Sequence, residues 1–218
     1  NDNYFYNGSL IDASNNSQLN INSSGRLFCS NVEISIPMDV ICGNLYLNGS
    51  TYNKACTFNK TGPGNDFGNG GNIFNDYLTL INSGSGYLVL GGNQADIYNQ
   101  DISVSNSGTN LIHLAYNSTG NLFNGNIILS STNGQGIRFG QGTALNDASL
   151  AANKTIFIGA DGFSAGNLEI QNFLQSSQQP LAVSLSGTAY LYLENGTVFN
   201  GRLNLEAPQI FCSGVQFN

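Results

Sequence analysis

Charged side chains make up only 9% of this 218-residue chain, six basic against 13 acidic, for a net charge of −7. So few Lys and Arg leave no electrostatic footprint for nucleic acid and no basic stripe for an anionic lipid surface. Trp is absent, His113 is the single histidine, and the four cysteines fit no zinc spacing, so neither a metal nor a cofactor is expected. No apolar run approaches the ~18 residues that span a bilayer, which excludes membrane insertion by a helix. Helix-forming runs are nearly missing too. The best stretch, residues 144–154, reads as a bulging loop or one helical turn. The chain opens at Asn1 without Met or an apolar leader, which reads as a processed or excised piece of a secreted precursor.

What the chain has instead is Asn, about one residue in six, with 27 Gly and 40% hydrophobic residues. The apolar residues fall in regular alternation, so the composition signals ordered β structure, not disorder. A phrase recurs: Asn72-Ile73-Phe74-Asn75, Asp96-Ile97-Tyr98-Asn99 and Asn121-Leu122-Phe123-Asn124, its closing asparagines almost evenly spaced. Looser copies stand at Thr197-Val198-Phe199-Asn200 and Val215-Gln216-Phe217-Asn218. A β-type pattern at a period in the twenties predicts stacked coils. The expected fold is all-β, a parallel β-helix or β-solenoid of about nine coils; the alternative is a sandwich of many short strands.

Between phrases each coil repeats one grammar. Tyr77–Ile81, a turn at 82–86 and Tyr87–Leu90 are followed by Ile102–Val104, a turn at 106–108 and Leu111–Leu114, then by Ile127–Leu129, a turn at 132–134 and Ile137–Gly140. The Asn-Gly and Ser-Gly pairs at these turns are expected to supply positive φ. Phe74, Tyr98 and Phe123 should stack as an aromatic ladder. Asn75, Asn99 and Asn124 should form an amide ladder, each side chain bonding the next. Residues 44–218 read as the repeat-built solenoid with an uncapped last coil. Residues 1–43 read as N-terminal coils or a cap and a candidate docking end of the same continuous domain.

A second similarity joins the two ends: Arg26-Leu27-Phe28-Cys29-Ser30-Asn31-Val32-Glu33-Ile34 resembles Gln209-Ile210-Phe211-Cys212-Ser213-Gly214-Val215-Gln216-Phe217. A terminal coil that looks internal is an open template, so Val215, Phe217 and Asn218 mark a candidate assembly end where another copy would dock head to tail.

The phrases, with the run Leu114-Ala115-Tyr116-Asn117-Ser118-Thr119-Gly120-Asn121-Leu122-Phe123-Asn124-Gly125-Asn126-Ile127 and Ala207-Pro208-Gln209, resemble the long repeats of very large secreted surface and adhesin-like proteins of Bacteroidota. The resemblance covers roughly residues 44–218. It implies extracellular display, a tandem or polymeric arrangement and an adhesive or scaffold role, and it brings no catalytic residues.

Four cysteines in a secreted chain allow up to two disulfides. Cys29 and Cys212 take the place of core leucines and should point inward. Cys42 and Cys56 are candidates to bridge a loop, and Cys212 of one subunit is a candidate partner for Cys29 of the next. For catalysis, Asp76 and Asp101, or Glu194 and Glu206, are the carboxylate pairs that stacking would bring near each other. No Arg or Lys accompanies either pair in register, so Asp76 and Asp101 read first as solvated coil-edge residues and second as calcium ligands. His113 is expected on the outer face as a surface residue. Outward aromatics such as Phe28, Tyr46, Tyr87, Tyr190 and Tyr192 suit cross-strand pairing or stacking on sugar rings. The reading is a non-catalytic extracellular structural protein, a unit of a surface filament or giant adhesin. Its partners are copies of itself, with surface glycans as a further class. The alternatives are a carbohydrate-active β-helix enzyme (lyase or hydrolase) and a monomeric glycan- or ice-binding module.

Overall fold

The computed structural model describes residues 1–10, 17–141, 147–176 and 178–218. The chain is a parallel β-solenoid. All of its named strand pairs are parallel, and each strand of the central coils bonds to the strand one coil before and one coil after it. Three faces run along the axis. The first carries the recurring phrase and includes Ile73–Phe74, Ile97–Tyr98 and Asn121–Phe123. The second includes Leu78–Asn82, Ile102–Asn106 and Ile127–Ser131. The third includes Leu88–Val89, Ile112–Leu114 and Gly136–Phe139.

Along the second face a seven-stranded sheet is followed by a two-stranded one, giving nine successive rungs. At ~4.8 Å between strands this is an axial length of roughly 40 Å. Strands Asn3–Leu10 and Arg26–Ile34 belong to the same stack, and Arg26–Ile34 pairs directly with Asn44–Asn48. No break in the ladder falls at residue 43, and Asn3 to Tyr6, at the chain start where a cap is conceivable from sequence, form part of a rung. Within the stretch 144–154, Ala148–Leu150 is a strand of the first face, which overturns the helical reading there. Residues 144–146 lie outside the described residues.

Parallel registration turns sequence repeats into columns. Ile34, Tyr52, Phe74, Tyr98, Phe123, Leu150, Gln175, Phe199 and Phe217 lie one above another on the first face. The coils along this column are unequal: those from Ile34 to Tyr52 and from Phe199 to Phe217 are the shortest, and that from Phe123 to Leu150 is the longest. The regular period of the phrase therefore holds only in the middle of the stack. Tyr52, Phe74, Tyr98 and Phe123 form a face-to-face stack with centroid spacings of 4.9, 5.3 and 4.6 Å. These spacings match the strand separation, so the rings gain contact at no cost to backbone geometry. Leu150 and Gln175 interrupt the stack, and Phe199 with Phe217 resumes it at 6.0 Å.

Glycine answers a different demand at the corner between the second and third faces. Gly62, Gly84 and Gly108 lie one above another there, and a Cβ on Gly84 or Gly108 would collide with the carbonyl oxygen of the glycine one coil below. Neither Gly84 nor Gly108 has positive φ. The expectation that these Ser-Gly turns exist for left-handed backbone is thus corrected. The coils approach too closely here for any side chain.

The first-face column yields a test. Phe74→Ala should cost about 3–5 kcal/mol, because it opens a cavity within a closed stack. Tyr98→Phe deletes a buried hydroxyl that has no hydrogen-bond partner among the described residues and should be neutral or stabilising. Urea unfolding followed by far-UV circular dichroism separates the two, and a large loss for Tyr98→Phe would contradict the geometry.

Candidate assembly interface

The amide ladder lies outside the corner between the first and second faces. Asn75 donates to Asn53 Oδ1 at 2.7 Å, Asn99 to Asn75 Oδ1 at 2.8 Å and Asn124 to Asn99 Oδ1 at 2.8 Å. Asn53 ends this run by donating to Glu33 and Ser35. The ladder restarts near the last rung, where Asn200 donates to the Gln175 carbonyl and Asn218 donates to Asn200 Oδ1 at 2.6 Å.

A second polar column, which sequence reasoning missed, runs inside the opposite corner. Ser50, Asn72, Asp96 and Asn121 are all fully buried. Ser50 N donates to Asn72 Oδ1, the Asn72 backbone and amide both donate to Asp96 Oδ1, and Asp96 N donates to Asn121 Oδ1. The signal was present in the phrase itself, whose opening residues are Asn72, Asp96 and Asn121. Burial pushes the Asp96 carboxyl up to about 6, against the opposing effect of its bonds from Asn72. Its Oδ2 and the Tyr98 hydroxyl are each buried without a hydrogen-bond partner among the described residues, and burial, helped by the Asp96 carboxyl, raises the Tyr98 pKa.

A third column closes the turns that follow the second face. Cys42, Lys60, Asn82, Asn106 and Ser131 are in register. Lys60 Nζ donates to the Gly62 carbonyl at 2.7 Å, as Asn82 does to Gly86 and Asn106 to Asn110. Lys60 is thus a buried turn-closing donor in an asparagine's place, and burial lowers its pKa. Asp66, bonded by the Asn44 amide and Leu45 N, is pushed by burial up to about 7.

The cysteine expectations are corrected by register. All four are free thiols. Cys56 pairs with Met38 and Cys42 with Lys60, so Cys42 and Cys56 sit four residues apart along neighbouring strands. That offset is about 13 Å, well beyond the ~7 Å Cα limit for a disulfide. Burial holds Cys29 at about 11 and Cys42 and Cys56 at about 12, so they remain protonated. Cys212 pairs with Leu193 and occupies a core position, but it is exposed because its rung is the last.

The carboxylate pairs do not assemble either. Asp101 lies opposite Tyr77, one residue out of register with Asp76, and is occupied by the Asn126 backbone and amide. Glu194 accepts from Gln171 on the third face, whereas Glu206 accepts from Ser184 on the second. His113 lies on the outer side of its strand but is buried, correcting the surface reading. Tyr116 packs edge-on against it at 4.8 Å. Its Nε2 donates to the Gly140 carbonyl at 2.7 Å, and burial lowers its pKa to about 4, so it is neutral.

The two end rungs expose what interior rungs bury. On the last rung Ile210 and Phe217, with 41% and 56% of their surface exposed, join Leu203, Leu205, Cys212 and Val215 in an apolar end plate. Strands Gln209–Ser213 and Gln216–Phe217 are paired on one side only. At the other end, Phe5, Leu19 and Ile21 are only partly covered. Outward aromatics stack near both ends of the third face: Tyr4, Phe28 and Tyr46 at 4.9 and 4.5 Å, and Tyr192 with Phe211 at 4.6 Å.

The two similar nonapeptides hold equivalent positions. Residues 26–34 and 209–217 each run from the third face, through one left-handed residue (Asn31, φ 54°; Gly214, φ 70°), into the first face. Asn7, φ 47°, does the same in the first rung. This geometry places the chain in the class of parallel β-solenoids. No protein-family model, curated protein or solved structure matches the chain.

The buried acids make stability depend on pH. Asp66 and Asp96 have folded pKa values of about 7 and about 6, above the ordinary 3.8, so the folded state binds their protons more tightly. Their contribution is complete below the unfolded value and is lost as pH rises through the folded values. His113, lowered to about 4, acts in the opposite sense up to its ordinary 6.5. The thermal midpoint should therefore fall between pH 4 and pH 8 on balance, and Asp66→Asn/Asp96→Asn should abolish that fall and leave a rise below about pH 6.5. An unchanged pH profile in the double variant would show that neither carboxyl titrates as its burial demands.

Proposed function

We propose that the chain is a non-catalytic structural unit of an extracellular surface filament or giant adhesin, extended along its axis when a second copy supplies the next rung. The observation that carries this reading is the equivalence of the last rung to the second. Residues 209–217 have the faces, the step across the corner and the left-handed residue of residues 26–34. A copy whose first rung docked there would place Ile210, Phe211, Cys212 and Ser213 opposite Asn3, Tyr4, Phe5 and Tyr6. Backbone pairing would continue, as in strand addition to any open sheet edge. Phe211 would meet Tyr4, joining the two outer aromatic stacks, and the apolar end plate would become core. The extracellular setting rests on the resemblance to secreted surface repeats and on the charge-poor, Asn-rich composition.

In this junction Cys212 meets Phe5, and Cys29 lies a further rung away, about 10 Å in all. A covalent Cys212–Cys29 lock is therefore not part of the proposal. Sedimentation velocity and negative-stain microscopy test it. The purified chain should form rods in multiples of roughly 40 Å, insensitive to reductant and to Cys212→Ser. Ile210→Lys combined with Phe217→Asp should leave single rods with an unchanged circular dichroism spectrum. A wild-type chain that stays a single rod at every concentration reached would reject the reading.

A further inference from the structure

Phe67 is as exposed as Phe217, at 56%, yet it lies in the middle of the stack, where no added rung would cover it. The reason is a gap in the third face: between strands Asn44–Asn48 and Leu88–Val89 the chain passes as a loop rather than a strand. Two adjoining hollows open beside Phe67, of about 360 and about 190 Å³, and both are walled by Phe67, Val89 and Tyr116. The larger one falls within the ~300–1,000 Å³ usual for ligand pockets.

The walls are held in advance. Tyr116 packs edge-on against His113, which is fixed by the Gly140 carbonyl. The residue before it, Ala115, has φ 53°, a left-handed conformation that costs a non-glycine residue on the order of 1 kcal/mol. The corresponding corners one coil below and above hold Gly91 and Gly140, both with positive φ. The chain thus holds a strained alanine beside the aromatic that divides the two hollows, and such strain clusters where a side chain must be aimed.

The polar groups define the ligand. Arg138 lines the larger hollow and pairs through Nε with Glu169, whose other oxygen accepts from Asn167, so its charge is already balanced. Among the described residues no carboxylate lines either hollow. Gln141 Oε1 is buried at the larger hollow with no hydrogen-bond partner among the described residues, an acceptor that needs a donor such as a hydroxyl. In the smaller hollow Asn93 and Asn69 offer further amide groups. Flat aromatic faces, amide donors and acceptors and no net charge are together the chemistry that recognises the two sides of a sugar ring.

We propose that this groove binds a neutral oligosaccharide of at least two pyranose rings, one ring in each hollow, with Phe67 and Tyr116 against their apolar faces and a ring hydroxyl donating to Gln141 Oε1. The groove lies on the side of the solenoid, so it neither requires nor precludes axial assembly. The test uses calorimetry and saturation-transfer NMR with cellotetraose, mannotetraose, maltotetraose and laminaritetraose, and with tetragalacturonate as the acidic control. At least one neutral probe should bind saturably. Phe67→Ala should weaken that binding tenfold or more with an unchanged thermal midpoint, since the ring is exposed, and Tyr116→Ala should weaken it likewise. The end-rung variant Ile210→Lys/Phe217→Asp should bind as the wild type does, which separates this result from the fate of the assembly proposal. Failure of every neutral probe to bind, binding of tetragalacturonate alone, or binding unaffected by Phe67→Ala would overturn the assignment.

Discussion

Parallel registration between coils governs every column in this solenoid. In the central coils the strands of each face pair with the coil above and the coil below, so a residue placed on one coil dictates the environment of its counterpart on the next. Aromatic residues at 4.6–5.3 Å stack because that is close to the distance between rungs. Amides at the same spacing bond one another at 2.7–2.8 Å. Glycines persist at the corner where the next coil's carbonyl occupies the space of a side chain. A substitution is therefore felt through the column as well as at its own site.

The corners show how this solenoid tolerates polar residues inside a narrow core. Asn72, Asp96 and Asn121 use side-chain oxygens to satisfy backbone N–H groups where the chain turns from the third face to the first. Lys60, Asn82 and Asn106 use side-chain donors to satisfy carbonyls at the other inner corner. Burying these groups unpaired would be costly, so the paired columns act as braces. Among the exceptions, the Tyr52 and Tyr98 hydroxyls and Asp96 Oδ2 cluster along the first-face aromatic stack and its adjoining corner. There the demand for ring stacking and the demand for hydrogen bonding are not met together.

The two proposed roles divide along the same geometry. The ends present uncovered core and unpaired strand edges, which suit continuation by a like coil. The sides are mostly closed by alternating inward and outward residues. The third face departs from this where residues 61–71 make no strand, and there Phe67, Tyr116 and Gln141 gather around the proposed glycan groove. The proposed scaffold role and the proposed binding role use different surfaces.

The coil architecture and the Phe74-Tyr98-Phe123 and Asn75-Asn99-Asn124 columns were legible in the order of amino acids. They follow from a repeated local phrase, and registration converts repetition into stacking. The equivalence of residues 26–34 and 209–217 was also legible as plain similarity. Folding settled whatever depends on contacts between coils of unequal length. Because the coils differ in length, counting along the chain cannot say that Cys42 and Cys56 lie four residues out of register, or that Asp76 misses Asp101 by one. Nor can it say that His113 is covered by Tyr116, or that Gly108 is required by the Gly84 carbonyl one coil earlier and not by its own φ. Alternation fixes which way a side chain leaves the strand. What meets it there is set by the neighbouring turn, whose length and path are specified by packing across the axis.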